Sequence, residues 1–366
     1  MRWSARWKGP DLADILHGLD EMIRLRQRWT RLMGGETAAL PPLPAHLAEL
    51  TEFGSNPGNL RMLEYRPEGL APGAPLVVAL HGCTQDAAGY ERGCGWAAMA
   101  RQLGFALLLP EQRPENNSHL CFNWFELADV TRGAGEVASI QQGVEAMLQR
   151  HGLDRRRVFV SGLSAGGAMS VAMLATYPEV FAGGAVLAGL PYGAARSAGQ
   201  ALDAMFHPAS RPAEERAAAV RAASPHRGAW PVLSVWQGLA DETVAPGNAD
   251  ELVKQWAALH GLDATQPDEL AQEEVFTRRR WRDAAGRLAL ESHVVPGLAH
   301  GVPLDVARLG EAGPHLLDVG LSSTHAILEF WGLAAPRDRA FEVNARGEAQ
   351  EVSPWRRALR LAGLRR

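Results

Sequence analysis

The stretch "GLSAGGAMSVAML", residues 162–174, follows directly on the apolar run "RRVFVS" and decides how the rest of the chain is interpreted. A strand-like run becomes a helix-like one across a turn of small residues. Gly162-Leu163-Ser164-Ala165-Gly166 fits the pattern Gly-x-Ser-x-Gly, in which a sharp strand-to-helix turn exposes a serine hydroxyl above a sheet. Ordinary glycine-rich turns also match this pattern. A catalytic interpretation therefore needs a base, an acid and an oxyanion hole elsewhere in the chain.

The bulk properties exclude several classes of protein. The 366 residues are 46% hydrophobic and 21% charged, which is typical of a globular protein with a sizeable core. A net charge of −4 gives no electrostatic case for nucleic acid as a partner. No apolar stretch is long enough for a transmembrane helix. Cys83, Cys94 and Cys121 form no predicted disulfide framework and have no zinc-site spacing, so we expect no metal. We expect no organic cofactor either, because a catalytic serine with a base and an acid would use water as its second substrate.

Short apolar runs alternate with helix-like segments from about residue 51 onward. Six runs resemble buried strands, at 75–80, 105–110, 157–162, 183–189, 231–238 and 290–297. Helix-like segments at 97–103, 136–151 and 167–176 lie between them. Strands that alternate with helices need crossover connections, which predicts the α/β class with a mostly parallel, doubly wound sheet.

Composition suggests three parts. We expect an N-terminal helical extension over 1–50, a catalytic α/β domain over 51–335 and a polar, basic tail over 336–366. Within the second part, the alanine- and arginine-rich segment 194–228 has little strand character. We predict that it is a small helical, cap-like insertion near the active site.

The partners of Ser164 are expected on loops that follow strands, because catalytic groups of open α/β sheets lie at the carboxyl ends of the strands. Asp241 lies in the loop "QGLADETVAPGN" after the run 231–238, and His300 lies in "LAHGVPLD" after the run 290–297. Glu242 is adjacent to Asp241 but is expected to point elsewhere. The order Ser164, Asp241, His300 is the order of α/β-hydrolases.

Other histidines fit the role of base less well. His293 lies within a predicted strand, where a side chain belongs to the core or a sheet face, and His315 and His325 fall on helix-like stretches. For the oxyanion hole, we expect one donor from the backbone N–H of Ala165 at the start of its helix. The second is expected from Cys83 N–H in "LHGCTQD", with His81 as a structural residue of that loop.

Seven motifs in matching order resemble the poly(3-hydroxybutyrate) depolymerase family of esterases, which includes feruloyl and acetylxylan esterases. They are "HGCTQD", "PEQRPENNSHLCFNWF", "GLSAGGAMS", "LPYG", "GLADETVAPGN", "GLAHGVPLD" and "SSTHAILEFWGL", and they cover about residues 52–333. The resemblance implies an α/β-hydrolase fold in which Ser164 is the nucleophile, His300 the base and Asp241 its orienting acid. It assigns Cys83 and Ala165 to the oxyanion hole.

The second motif also implies substrate contacts. Gln112, Asn123, Trp124 and Phe125 belong to it and are candidates to line the cleft, although a packed Trp-Phe pair under the cleft floor is an equally good interpretation. The predicted function is hydrolysis of carboxylic esters, with 3-hydroxybutyrate oligomers or similar short hydroxyacyl or aryl esters as substrates. A feruloyl or acetylxylan type of esterase is the alternative within the family.

Two hypotheses lie outside that family. A peptidase of the prolyl oligopeptidase type would need a gating domain for which the chain has no room. A catalytically silent binding protein is the alternative from another class. A silent protein would have no need to keep three catalytic residues at strand ends, which argues against this alternative.

The two ends of the sequence give the expectations for where the protein is located and which surfaces it binds. Secreted polymer depolymerases usually carry a signal peptide and often a polymer-binding domain. Neither is evident here, which predicts a cytoplasmic enzyme acting on soluble oligomers or small esters. The basic, partly apolar segments 1–32 and 355–366 leave three interpretations open: packing of the first helix beside a disordered tail, weak binding to a polyester granule or other anionic surface, and an oligomer contact.

Overall fold

The computed structural model describes residues 43–335, 341–343 and 349–351. The helix predicted within the first 35 residues lies outside the described residues, as does most of the predicted tail. The chain divides into two units, Met1–Ile327 and Leu328–Arg366. The first unit contains the central sheet and all of the candidate site residues.

Ten strands form the central sheet, in the order β1-β2-β4-β3-β5-β6-β7-β10-β9-β8. Their bounds are β1 Ala48–Glu49, β2 Arg61–Tyr65, β3 Leu76–Leu80, β4 Ala106–Glu111, β5 Val158–Leu163, β6 Gly183–Leu187, β7 Val232–Gly238, β8 Glu269–Gln272, β9 Thr277–Arg282 and β10 Leu288–Val295. The six predicted runs correspond to β3, β4, β5, β6, β7 and β10. The strands at the two edges, β1, β2, β8 and β9, have no counterpart among the predicted runs.

The centre of the sheet is parallel and its edges are antiparallel. β4, β3, β5, β6, β7 and β10 pair in parallel, whereas β1-β2, β2-β4, β10-β9 and β9-β8 are antiparallel. Every residue of β3, β4, β5 and β6 is buried. Strands buried on both faces are characteristic of α/β folds with a mostly parallel sheet, which confirms the predicted class. The carboxyl ends of the parallel strands therefore meet at one edge.

Eight helices accompany the strands in the described residues. Their bounds are α1 Ala87–Cys94, α2 Trp96–Leu103, α3 Gly135–His151, α4 Ala165–Thr176, α5 Ala198–Phe206, α6 Ala213–Ala222, α7 Gly247–Leu259 and α8 Ser323–Phe330. The segment 194–228 contains α5 and α6, in agreement with a helical insertion. None of the helices that the structure describes is long and apolar enough to cross a membrane.

Two small sheets complete the described structure. β11 (Val302–Leu304) and β12 (Leu316–Asp318) pair in parallel, with Val302 opposite Leu316. In the second unit, β13 (Phe341–Val343) and β14 (Ala349–Glu351) pair antiparallel. The segment that was predicted as a polar tail thus contains a pair of strands.

Candidate active site

Ser164 lies at the turn between β5 and α4. Its backbone has φ 56° and ψ −116°, a strained conformation for a residue other than glycine. The Ser164 N–H donates to Leu187 O at 2.8 Å, which ties the turn to β6. A Cβ atom on Gly166 would lie 2.4 Å from the carbonyl oxygens of Leu80 and His81, so only glycine fits where α4 passes the end of β3. The tight turn predicted from the sequence is thus present, and the close approach of α4 to the end of β3 explains why residue 166 is glycine.

Asp241 and His300 form a buried pair. His300 Nδ1 and Asp241 Oδ2 are 2.8 Å apart, and both residues are less than 10% exposed. An ionised carboxylate only accepts hydrogen bonds, so Nδ1 carries the proton and, in the neutral ring, Nε2 is left as a base. Asp241 Oδ1 accepts from the N–H groups of Thr243 and Val244, each at 2.8 Å. These bonds fix the carboxylate against the imidazole.

The loops that carry this pair are joined by their backbones. Leu239 N donates to Val295 O at 3.0 Å, and Ala240 N donates to Leu298 O at 3.1 Å. A Cβ atom on Gly238 would lie 2.1 Å from Leu298 O, so glycine is required at the end of β7. The two loops reach each other because β7 and β10 are neighbours in the sheet. Within the described chain no hydrogen bond joins Ser164 Oγ to His300.

Cys83 lies in the loop that follows β3. In the part of the chain that is described, neither Cys83 N–H nor Ala165 N–H donates to a protein acceptor, and both residues line the cleft that contains Ser164. His81 anchors this loop, since its Nδ1 donates to Gly82 O at 2.8 Å and its Nε2 accepts from Gln112 N at 3.1 Å. Both nitrogens of His81 are therefore engaged, and burial lowers its pKa.

Cys83 and Cys121 are joined by a disulfide, so the expectation that the cysteines form none was wrong. The two residues are 38 positions apart, and each lies in a loop beyond the carboxyl end of a strand, Cys83 after β3 and Cys121 after β4. Because β3 and β4 are neighbours, the loops meet. This pairing depends on strand order, which cysteine spacing does not reveal. Cys94 is free and buried.

The cleft at Ser164 has a volume of about 180 Å³ and a mostly apolar wall. Its lining residues are Cys83, Asn117, His119, Cys121, Trp124, Phe125, Ser164, Ala165, Leu190, Ala198, Ala201, Leu202 and Met205. The last four belong to α5, which places the insertion beside Ser164. The rings of Trp124 and Phe125 meet edge to face, with centroids 5.5 Å apart.

Gln112 and Asn123 do not line this cleft. Gln112 is fully buried, and its Nε2 donates to Glu136 Oε1 at 2.6 Å and to Cys121 O at 3.0 Å. Asn123 N donates to Glu136 Oε2 at 2.9 Å. The side chain of Gln112 and the backbone of Asn123 thus hold the 112–123 loop in place, a role that was not predicted for them. Glu136 was not predicted as part of the site, and burial raises its pKa to about 8.

Two other histidines have distinct environments. His293 lies in β10, buried and stacked on Trp236 with ring centroids 3.8 Å apart, which agrees with a place in the core. His315 was expected on a helix but lies just before β12, with φ 60°. Its ring meets the His300 ring edge to face at a centroid distance of 5.4 Å. Among the described residues, no group of three or more His, Cys, Asp or Glu side chains could hold a metal ion.

An elbow serine, an acid and a histidine that follow the parallel strands β5, β7 and β10 in this chain order define a serine hydrolase with the α/β-hydrolase fold. Comparison with known proteins narrows the class. Residues 61–276 match the family described as esterase PHB depolymerase, and the chain belongs to this family of carboxylic ester hydrolases.

Relatives of known activity agree with this assignment. The chain is 43% identical over 292 residues to poly(3-hydroxyalkanoate) depolymerase C of Paucimonas lemoignei, covering 78% of this chain and 70% of the relative. It is 33% identical over 281 residues to feruloyl esterase B of Neurospora crassa, covering 74% and 94%. Among solved structures, acetyl xylan esterase from Aspergillus awamori matches with a TM-score of 0.68 and 28% identity, over 79% of this chain and 99% of that one. The predicted family and esterase activity are thus confirmed.

Proposed function

We propose that this protein hydrolyses short hydroxyacyl esters, with soluble 3-hydroxybutyrate oligomers as the substrate class, through an acyl-enzyme on Ser164. The observation that carries the proposal is that Ser164 and the two unpaired N–H groups of Cys83 and Ala165 line one small apolar cleft. A cleft of about 180 Å³ is smaller than the roughly 300–1,000 Å³ of sites for drug-sized ligands, which favours a short acyl group.

The proposed reaction begins when Ser164 Oγ attacks the ester carbonyl while His300 Nε2 takes the hydroxyl proton. The carbonyl oxygen becomes an oxyanion that accepts hydrogen bonds from Cys83 N–H and Ala165 N–H. His300 then gives its proton to the departing alcohol, which leaves an acyl group on Ser164. Water, deprotonated by His300, attacks this ester in turn, and the acid is released as Ser164 regains its proton.

Asp241 stabilises the charged state of His300 in both halves of the reaction. Its Oδ2 accepts the Nδ1–H throughout, so Nε2 remains available as the base and the ring has a negative charge beside it when it is protonated. Water is the second substrate, and the proposed steps use no metal or organic cofactor.

A feruloyl type of activity is the second candidate, since Trp124 and Phe125 provide an aromatic wall on which an aryl group would stack. The relatives named above for feruloyl and acetylxylan esterase activity support the same alternative. It differs from the first proposal in requiring room for an aromatic acyl group.

A substrate panel tests the two candidates. Purified enzyme is assayed on 3-hydroxybutyrate dimer and trimer, 4-nitrophenyl esters from acetate to decanoate, methyl ferulate and acetylated xylan. The first proposal predicts the highest kcat/KM on the hydroxybutyrate oligomers and a fall along the nitrophenyl series beyond butyrate. A higher kcat/KM on methyl ferulate or acetylated xylan than on the oligomers would overturn it. Binding of the basic end segments to polyester granules stays a separate proposal, tested by co-sedimentation at low and high salt.

A further inference from the structure

His315 holds the backbone of the catalytic histidine. Its Nδ1 lies 3.0 Å from His300 O, and because a carbonyl oxygen only accepts, His315 Nδ1 carries a proton and donates it. Its own carbonyl oxygen accepts from Val302 N at 2.8 Å. His315 thus bonds to the residues on both sides of Gly301. A Cβ atom on Gly301 would lie 2.6 Å from His315 O, so glycine allows this close approach.

The loop before β12 also reaches the oxyanion loop, through Gln85. Gln85 Nε2 donates to Pro314 O at 3.2 Å, while Gln85 Oε1 accepts from Gly82 N at 2.9 Å. Gly82 directly precedes Cys83. One glutamine side chain therefore connects the backbone beside the expected oxyanion donor to the residue that directly precedes His315.

The 309–316 loop is itself held in place. Glu311 N donates to Gly93 O at 3.0 Å, and Gly313 N donates to Leu316 O at the same distance. Burial lowers the pKa of His315 and outweighs the hydrogen bond to His300 O, which raises it; of the nearby charges, His300 lowers this pKa and Asp241 raises it. A neutral His315 with its proton on Nδ1 fits the hydrogen bond to His300 O.

We propose that Gln85 and His315 are positioning residues that link the oxyanion loop to the loop of the catalytic base. The inference rests on the proposed function, because it assigns a role in the reaction of Ser164 and His300. The link runs from Gly82 through Gln85 to Pro314, and from His315 to His300. It fixes the backbone of His300, whose side chain Asp241 already holds. The base activates Ser164 for attack on the same substrate carbonyl whose oxygen the oxyanion donors bind, so small errors in their relative position lower the rate.

Four variants test this link. His315→Asn keeps a residue that tolerates positive φ but removes the ring donor. Gln85→Glu keeps the acceptor for Gly82 N and removes the donor to Pro314 O. The double variant combines them. His226→Asn is the matched control, since His226 makes a similar ring contact to a backbone oxygen, Ala229 O at 3.0 Å, in the loop before β7 at the opposite end of the sheet.

The measurements are kcat and KM on 4-nitrophenyl acetate, with thermal unfolding to check the fold. We expect His315→Asn to lower kcat by about tenfold, the effect of losing one positioning hydrogen bond, with KM changed by less than about twofold. Gln85→Glu should lower kcat severalfold. The double variant should be no worse than His315→Asn by more than about twofold, because both residues act through one link. His226→Asn should match the wild type.

Three results would overturn the inference: a kcat for His315→Asn within about twofold of the wild type, a loss confined to KM, or multiplicative losses in the double variant. If His315→Asn does not fold, the test rests on Gln85→Glu alone. A kcat equal to that of the wild type in Gln85→Glu would then overturn the proposed link. Ser164→Ala separates this outcome from failure of the proposed function. Hydrolysis by the wild type that persists in Ser164→Ala, or no hydrolysis by the wild type, would overturn both proposals.

Discussion

Asp241 has surroundings that define its role narrowly. Its carboxylate is buried and accepts hydrogen bonds from two backbone N–H groups, from Gln237 Nε2 at 3.1 Å and from His300 Nδ1. The backbone donors would remain satisfied by an asparagine oxygen. The second oxygen, Oδ2, accepts from the imidazole and from Gln237 Nε2, and Gln237 Nε2 also has the carbonyl oxygens of Gly238 and Val244 as acceptors.

Asp241→Asn is therefore expected to leave the fold intact and to lower kcat by about 10⁴-fold, because an amide nitrogen facing Nδ1 favours the wrong tautomer of His300. Steady-state kinetics on 4-nitrophenyl butyrate measure the loss. Glu242→Gln, at the adjacent exposed position, is the matched control and should retain full activity. A mild loss in Asp241→Asn, or a large one in Glu242→Gln, would assign the acid elsewhere.

The residues of the proposed triad were predictable because each one follows an apolar run that the sequence shows clearly. The cleft was harder to predict. Gln112 and Asn123 share a motif with Trp124 and Phe125, but the buried carboxyl of Glu136 binds the side chain of Gln112 and the backbone N–H of Asn123. His315 was assigned to a helix because the short strand β12 has too few residues to show alternation.

At the scale of elements, the turn between β5 and α4 depends on the absence of side chains. Gly166→Ala would place a methyl group 2.4 Å from two backbone oxygens that cannot move without displacing β3. We expect a loss of about 3 kcal/mol in the free energy of unfolding, together with loss of activity. Gly199→Ala, in α5 with no atom within 4 Å of the added carbon, should instead gain about 0.5 kcal/mol. Urea unfolding of both variants measures the difference, and equal stability would contradict the close approach.

A buried ion cluster joins β7, β9 and β10. The Glu291 carboxylate accepts from Ser234 Oγ at 2.8 Å and from Arg280 Nε at 3.0 Å. His293 Nε2 lies 3.1 Å from Glu291 Oε1. Burial alone would raise the pKa of Glu291, but His293, Arg280 and the Ser234 hydroxyl together hold it below its usual value of 4.5. The cluster therefore favours the ionised carboxylate in the folded state.

A depressed pKa in the folded state stabilises the protein above the unfolded pKa, and this contribution is lost as the pH falls through the folded pKa. Glu291→Gln should have a lower free energy of unfolding than the wild type at pH 7, and this difference should narrow between pH 5 and pH 3. Urea unfolding of both proteins at pH 7, 5, 4 and 3 measures the difference. Glu68→Gln, at an exposed turn position, is the control. A gap that does not change with pH would contradict the assignment.

At the scale of the whole molecule, the parallel centre of the sheet was predictable from six apolar runs. The order of the strands across the sheet was not predictable from them. Strand order brings β3 beside β4 and so brings Cys83 to Cys121, although nothing in their spacing indicates a pair. At one edge of the sheet, β8 has only four residues and β9 is rich in arginine, so neither has the apolar signal of the buried strands.

The disulfide links the oxyanion loop to the loop that carries the aromatic wall. Reduction should lower the free energy of unfolding by about 2–4 kcal/mol, because it releases a closed loop in the unfolded chain, and should lower kcat as Cys83 N–H loses its fixed position. Dithiothreitol treatment, with thiol titration to show two new thiols, measures both effects. The double variant Cys83→Ser, Cys121→Ser should not respond to dithiothreitol. Two new thiols without a change in either quantity would contradict this role.

Disulfides persist in oxidising compartments. The Cys83–Cys121 bond therefore favours such a compartment, whereas the sequence led to the expectation of a cytoplasmic enzyme. The cytoplasmic location stays a prediction.

The central claim is that Ser164 is the nucleophile of an ester hydrolase, and covalent labelling tests it most directly. A fluorophosphonate probe is incubated with the wild type, with Ser164→Ala and with Ser170→Ala, a buried serine of the same helix whose hydroxyl donates to Gly166 O. The labelled peptide is then identified by mass spectrometry. The account predicts one label per chain at Ser164, none in Ser164→Ala together with the loss of ester hydrolysis, and normal labelling in Ser170→Ala. Labelling of another serine, or turnover by Ser164→Ala within about tenfold of the wild type, would contradict it.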